Sequence, residues 1–323
     1  MLTAIMTHWL GSAALGALTV SSLQLTQLAL PQDGADQAAR QQEQWFDAGM
    51  FSALRARCIG PAVNSGRISD LAVNPENHDE WYVAVASGNV WKTSNHGTTF
   101  DPIFDHEGSY SIGCVTIDPN DPMTIWIGTG ENNSQRSVSF GDGVYRSRDG
   151  GRSWEHMGLE ESEHIGMISI DPRDSDIVYV AAQGPLWKDG GDRGLYKTVD
   201  GGETWERILH ISDQTGVNEV HLKPGDPDTL LASTYQRRRR VWTLINGGPE
   251  TDIYKSVDGG ETWRKITRGL PGADKGKIGL DFSETHPNIV YAIVEAANDS
   301  GGIYRSEDTG QSWTRVNTYM STS

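Results

Sequence analysis

The chain has 323 residues, and its 37 glycines amount to about 11 % against roughly 7 % in an average protein, which excludes a helical bundle or coiled coil. Lys and Arg number 27 against 43 Asp and Glu; the net charge of −16 repels phosphate backbones and argues against nucleic acid as a partner. With 37 % hydrophobic residues and 11 Trp, the chain has material for a large core and is not disordered.

In chain order, Leu10 to Leu30 carries no charge, and Pro31 then opens a polar stretch. This reads as a signal peptide over residues 1–30, or an N-terminal anchor that stays uncleaved and makes the membrane a partner. Residues 31–44 form a polar linker. The expected location is secreted, periplasmic or cell-surface. Cys58 and Cys114 lie about one repeat apart; a disulfide and two separate buried thiols both stay open.

Residues 45–323 are dominated by one repeat. Five segments align without gaps: Trp91–Phe100, Tyr145–Trp154, Tyr196–Trp205, Tyr254–Trp263 and Tyr304–Trp313. Each reads aromatic, basic, Ser/Thr, any, Asp/Asn, any, Gly, any, Ser/Thr, aromatic. The Asp/Asn position falls at Asn95, Asp149, Asp200, Asp258 and Asp308, with spacings of 54, 51, 58 and 50. Two short apolar runs precede each segment, as Ile112–Ile117 and Ile125–Thr129 do the second. Strands of this length between turn residues predict an all-β fold, a β-propeller of ~50-residue four-stranded blades. The blades fall at about 62–105, 106–160, 161–212, 213–270 and 271–316.

Within the repeat, the Asp or Asn oxygen is placed to accept backbone N–H groups across a tight turn, and the Gly supplies φ > 0. The aromatic is expected to fold back into the blade. One such residue per blade spreads the carboxylates around the rim, so no metal site and no cofactor are expected. Five blades make an incomplete ring, which predicts an open arc continued by further C-terminal blades beyond Ser323.

The five segments match the Asp-box, or bacterial neuraminidase repeat, Ser-x-Asp-x-Gly-x-Thr-Trp. From Arg57-Cys-Ile-Gly-Pro61 onward, the chain resembles secreted bacterial proteins of the sortilin N-terminal-like β-propeller family, commonly labelled glycosyl hydrolases. Phrases carrying the likeness include Gly128-Thr-Gly-Glu-Asn-Asn133 and Gly184-Pro-Leu-Trp187. The resemblance implies the propeller fold. Sialidases with this repeat carry Phe/Tyr-Arg-Ile-Pro before the first Asp-box, whereas Arg67-Ile-Ser-Asp70 lacks the Pro. Xyloglucanase-type hydrolases place a catalytic Asp at the end of the second strand of the first blade. The matching text, Val85-Ala-Ser-Gly-Asn-Val-Trp91, has no carboxylate, and a second propeller would be needed to complete their cleft. No catalytic residue is therefore assigned.

Loops joining the second and third strands lie opposite the Asp-box turns, and three are long. They supply the candidate ligand-binding residues Glu131, Asn132, Asn133, Gln135, Arg136, Trp187, Arg193, Tyr235, Arg237 and Trp242. The run Arg237–Arg240 is read as part of the fourth-blade loop, pairing with acidic neighbours or binding a ligand; alternation would point two guanidinium groups each way. The expected function is a non-catalytic recognition scaffold for a peptide or glycan. The alternative is a glycoside hydrolase, xyloglucanase- or sialidase-like, with catalytic residues partly outside this chain.

Overall fold

A computed structural model describes residues 66–133 and 138–318, and every strand below lies in the unit Cys58–Ser323. The first sheet is β1 Ile68–Val73, β2 Trp81–Val85, β3 Asn89–Thr93 and β4 Asp101–Pro102. The second is β5 Ile112–Ile117, β6 Ile125–Thr129, β7 Val144–Ser147 and β8 Glu155–His156. The third is β9 Ile165–Asp171, β10 Asp174–Ala182, β11 Gly194–Thr198 and β12 Glu206–Leu209. The fourth is β13 Thr215–Lys223, β14 Asp226–Arg240, β15 Thr243–Asn246, β16 Ile253–Ser256 and β17 Arg264–Ile266. The fifth is β18 Lys275–Phe282, β19 Val290–Ala296, β20 Gly302–Ser306 and β21 Thr314–Asn317. All pairings are antiparallel between neighbours, the order that a propeller blade requires.

The core lies between blades rather than within them. Alternation sends Ile125 and Ile127 against Tyr82, Ala84 and Val90 of the first blade, while Trp126 between them packs with Ile168, Val178 and Val180 of the third. Similar clusters join the third blade to the fourth and the fourth to the fifth. A sheet buried on both faces explains why the middle strands read as continuous apolar runs.

The aspartate turns have the geometry their residue types imply. Ser147 Oγ donates to Asp149 Oδ1 at 2.8 Å, Ser153 N donates to the same oxygen at 2.9 Å, and Ser153 Oγ donates to Oδ2 at 2.7 Å. Asp200, Asp258 and Asp308 repeat the pattern, and Asn95 repeats it with Thr93 and Thr99. Hydroxyl donors, led by Ser153, Thr198 and Ser256, hold the carboxyls of Asp149, Asp200 and Asp258 at about 2. Gly202 has φ 94°, and a Cβ there would come within 2.8 Å of the Trp126 ring.

Two features differ from expectation. Trp154 and Trp205 do not fold back only into their own blades: their indole N–H groups donate to Ile103 O at 2.8 Å and Met157 O at 2.7 Å, in the preceding blade. The basic position of the repeat also stitches blades together. Lys92 Nζ donates to Gly150 O at 3.1 Å, Lys197 Nζ to Gly259 O at 2.9 Å and Lys255 Nζ to Thr309 O at 2.6 Å, while Arg146 reaches Gly201 O. Each cation thus donates to a turn carbonyl of the following blade. Residues 1–65, with the expected leader, the expected linker and Cys58, lie outside the described residues, and so does any bridge from Cys58 to the buried Cys114. No helix among the described residues is long and apolar enough to cross a membrane.

Candidate functional site

The fourth-blade segment is not a loop. Strand β14 runs on through Arg240, turns at Val241 and Trp242, and pairs back through β15, with Arg237 opposite Asn246 and Arg240 opposite Thr243. The Arg run is therefore one arm of a β-ribbon, and its side chains alternate. Arg238 and Arg240 share Asp189 of the third-blade loop at 3.1 and 3.5 Å. Arg239 lies over the Trp187 ring at 5.6 Å, and its backbone N–H donates to Leu186 O at 2.8 Å. Burial and then Arg238 act on the Asp189 carboxyl in opposite directions, and the guanidinium groups win, leaving its pKa lowered. Pairing with an acidic neighbour thus holds the ribbon against the third-blade loop.

Arg237 turns inward and is buried. It donates to Gln183 Oε1 at 3.0 Å, to Asn133 O at 2.9 Å and to Asn132 O at 3.5 Å. Lys277 Nζ reaches the same Asn132 carbonyl at 3.3 Å, and Gln183 Nε2 donates to Asn218 Oδ1 at 2.7 Å. The Asn132 amide bridges Gly113 O at 3.3 Å and Gly166 O at 3.0 Å. Residues of the second, third, fourth and fifth blades thus meet in one polar network. Burial lowers the pKa of both Arg237 and Lys277. His164, buried beside them, is pushed down to about 3 by burial and then by Arg237 and Arg193. Gln183, Asn218, Lys277 and His164 were not among the sequence candidates; Gln183 directly precedes Gly184-Pro-Leu-Trp187, and the other three are single residues outside the motifs named above.

The remaining candidates separate by exposure. Glu131 is buried, its Oε1 paired with Arg67 and its Oε2 without a hydrogen bond among the described residues. Arg193 is buried and donates to the carbonyls of Gln183 at 2.7 Å, Lys188 at 3.0 Å and Pro185, so it holds the third-blade loop; burial brings its pKa down to about 10. Tyr235 is buried with the Arg237 guanidinium 6.0 Å from its ring. Trp187 is 53 % exposed and Trp242, at the ribbon tip, 83 % exposed. Gln135 and Arg136 lie outside the described residues. Asp70, on β1, accepts Val115 N at 3.0 Å and Leu71 N at 2.8 Å, yet burial outweighs both and raises its pKa.

The family model described as Sortilin, neurotensin receptor 3, matches residues 142–270. The chain is 25 % identical over 227 residues to the oligoxyloglucan-reducing end-specific xyloglucanase of Emericella nidulans, covering 70 % of this chain and 26 % of that protein. It is 24 % identical over 323 residues to xyloglucanase Xgh74A of Acetivibrio thermocellus, covering 82 % and 35 %. The chain therefore spans between a quarter and about a third of the length of these relatives. Among solved structures, the GH74 enzyme of Niastella koreensis superposes with a TM-score of 0.57 at 19 % identity, covering 76 % of this chain and 38 % of that one. With five antiparallel sheets among the described residues and these matches, the chain has a β-propeller fold, and over residues 142–270 it is similar to sortilin.

Proposed function

We propose that the chain is a recognition scaffold that binds a glycan on its long-loop face without cleaving it. The observation that carries this reading is the pair of exposed tryptophans, Trp187 and Trp242, on adjoining segments of the third-blade loop and the fourth-blade ribbon. Indole faces offer sugars an apolar surface at little entropic cost, and the guanidinium of Arg239 fixes one face of Trp187. Asp189 already neutralises part of the ribbon's charge, which favours a neutral ligand over an anionic one. Glycosidic cleavage calls for two carboxyl groups flanking the bond. Glu131, the one acid among the candidates, is buried on Arg67. The turn Ser87-Gly-Asn89, where the xyloglucanase-type pattern expects an Asp, has none.

The test is affinity electrophoresis in gels containing xyloglucan or other soluble polysaccharides. Retardation by at least one glycan, abolished in Trp187→Ala/Trp242→Ala, is expected; equal mobility of parent and double variant in every gel refutes the reading. A hydrolase remains the second reading, because the relatives are xyloglucanases and Asp70 has the raised pKa that suits a general acid.

A further inference from the structure

Each junction between neighbouring blades repeats one set of contacts. On the second strand of a blade a large side chain stands across from the basic residue of the repeat: Tyr82 from Lys92, Trp126 from Arg146, Tyr179 from Lys197 and Leu231 from Lys255. The glycine turn of the following blade seats on that pair. A Cβ on Gly151, Gly202, Gly260 or Gly310 would lie 3.7, 2.8, 3.6 or 2.9 Å from Tyr82, Trp126, Tyr179 and Leu231 respectively. The cation meanwhile donates to the carbonyl just before that glycine. An aspartate flanks the turn: a Cβ on Gly201 would lie 2.9 Å from Asp176 Oδ1 and 3.2 Å from Arg146 Nη1, so cation, turn and carboxylate meet.

The fifth blade presents the receiving half of such a junction to solvent. Tyr291 stands across from Arg305 and is 45 % exposed, and Ile293 on the same face is 56 % exposed. Arg305 pairs with Glu307 of its own blade. The first blade presents the inserting half. The atoms nearest a Cβ on Gly97 belong to Trp81 and Phe100 of the same blade. His96 N donates to Asp79 O at 3.1 Å, as Gly201 N donates to Asp176 O at 3.0 Å, which puts the exposed Asp79 carboxylate in the flanking place. Trp81 and Val83 hold the positions from which Ile125 and Ile127 of the second blade pack on the first, and Leu71, across from Val83, is 51 % exposed. Ring and cation at one end thus match glycine turn and carboxylate at the other, with exposed apolar surface at both.

We propose that a second copy of this chain docks end to end, its first blade on this fifth blade, with its Gly97 turn on the Tyr291 ring and its His96 carbonyl accepting from Arg305. The two ends differ, so the contact is head-to-tail and not isologous. Trp187 and Trp242 take no part in it, and it does not rest on the glycan reading.

Sedimentation velocity of the chain from nanomolar to high micromolar concentration tests the assignment. The parent should pass from one chain to larger species as concentration rises. Leu71→Arg spoils only the first-blade face and Ile293→Arg only the fifth-blade face; both side chains are exposed, so each variant should fold like the parent yet stay a single chain. Mixed, each supplies the face the other lacks, and a heterodimer and nothing larger should form. Arg305→Met should weaken self-association at least tenfold, while Trp187→Ala/Trp242→Ala should leave it unchanged. A single-chain mass for the parent across the whole range, self-association in either arginine variant alone, or no heterodimer in the mixture would overturn the proposal.

Discussion

Arg237→Met removes the guanidinium at the centre of the inter-blade network with little change in side-chain length. Asn132 O keeps donors from Lys277 and Gln183, but Asn133 O and Gln183 Oε1 lose the Arg237 donor. Each acceptor left buried and unpaired costs about 1–3 kcal/mol. Relief from desolvating a buried cation offsets part of this, since burial already lowers the Arg237 pKa. The net expectation is a loss of about 2–4 kcal/mol, which is about 5–15 °C in Tm for a domain of this size. Guanidinium chloride and thermal unfolding of the parent, Arg237→Met and Arg240→Met measure it. Arg240 shares Asp189 with Arg238 near the surface, so its replacement should cost under about 1 kcal/mol. Equal stability of the parent and Arg237→Met, or equal losses in the two variants, would refute the claim that this network ties the blades together.

His164 is held neutral in the folded chain with a pKa of about 3, whereas the unfolded chain protonates it near 6.5. Between those values the unfolded state binds the extra proton, so stability present above pH 6.5 should drain away as pH falls. Unfolding midpoints from pH 8 to pH 4 should show that slope in the parent and a flatter one in His164→Asn; parallel curves would contradict it. The turn carboxyls, at about 2 instead of about 3.9, should add a further loss as pH falls below about 4, which the same series extended to pH 2.5 would reveal. Gly202→Ala must combine a positive φ with a Cβ 2.8 Å from Trp126 and should cost about 1–3 kcal/mol. Gly272→Ala, with open space around its Cβ, is the matched control, and equal midpoints for the two would refute the steric reading.

The repeat made the blades legible because each aspartate turn is local: Asp149 and the Ser147 and Ser153 it engages lie within seven residues. What joins the blades was less visible. Lys197 and Gly259 are 62 positions apart and Arg237 and Asn133 are 104 apart, and nothing in either segment encodes the other. The Arg run misled as a loop because its charge concealed β pairing that the short partner Thr243–Asn246 completes. Among the candidate residues, sequence marked the long segments as places where polar and aromatic groups gather. It could not separate Glu131, Arg193 and Tyr235, which burial locks into the scaffold, from Trp187 and Trp242, which stay exposed.

The most direct test of recognition without cleavage is to follow xyloglucan with the purified chain by two readouts at once, bound polymer and new reducing ends. Retention of the polymer with no rise in reducing ends above a protein-free control is the predicted result. Reducing-end release that disappears in Asp70→Asn would contradict it and make the chain a hydrolase.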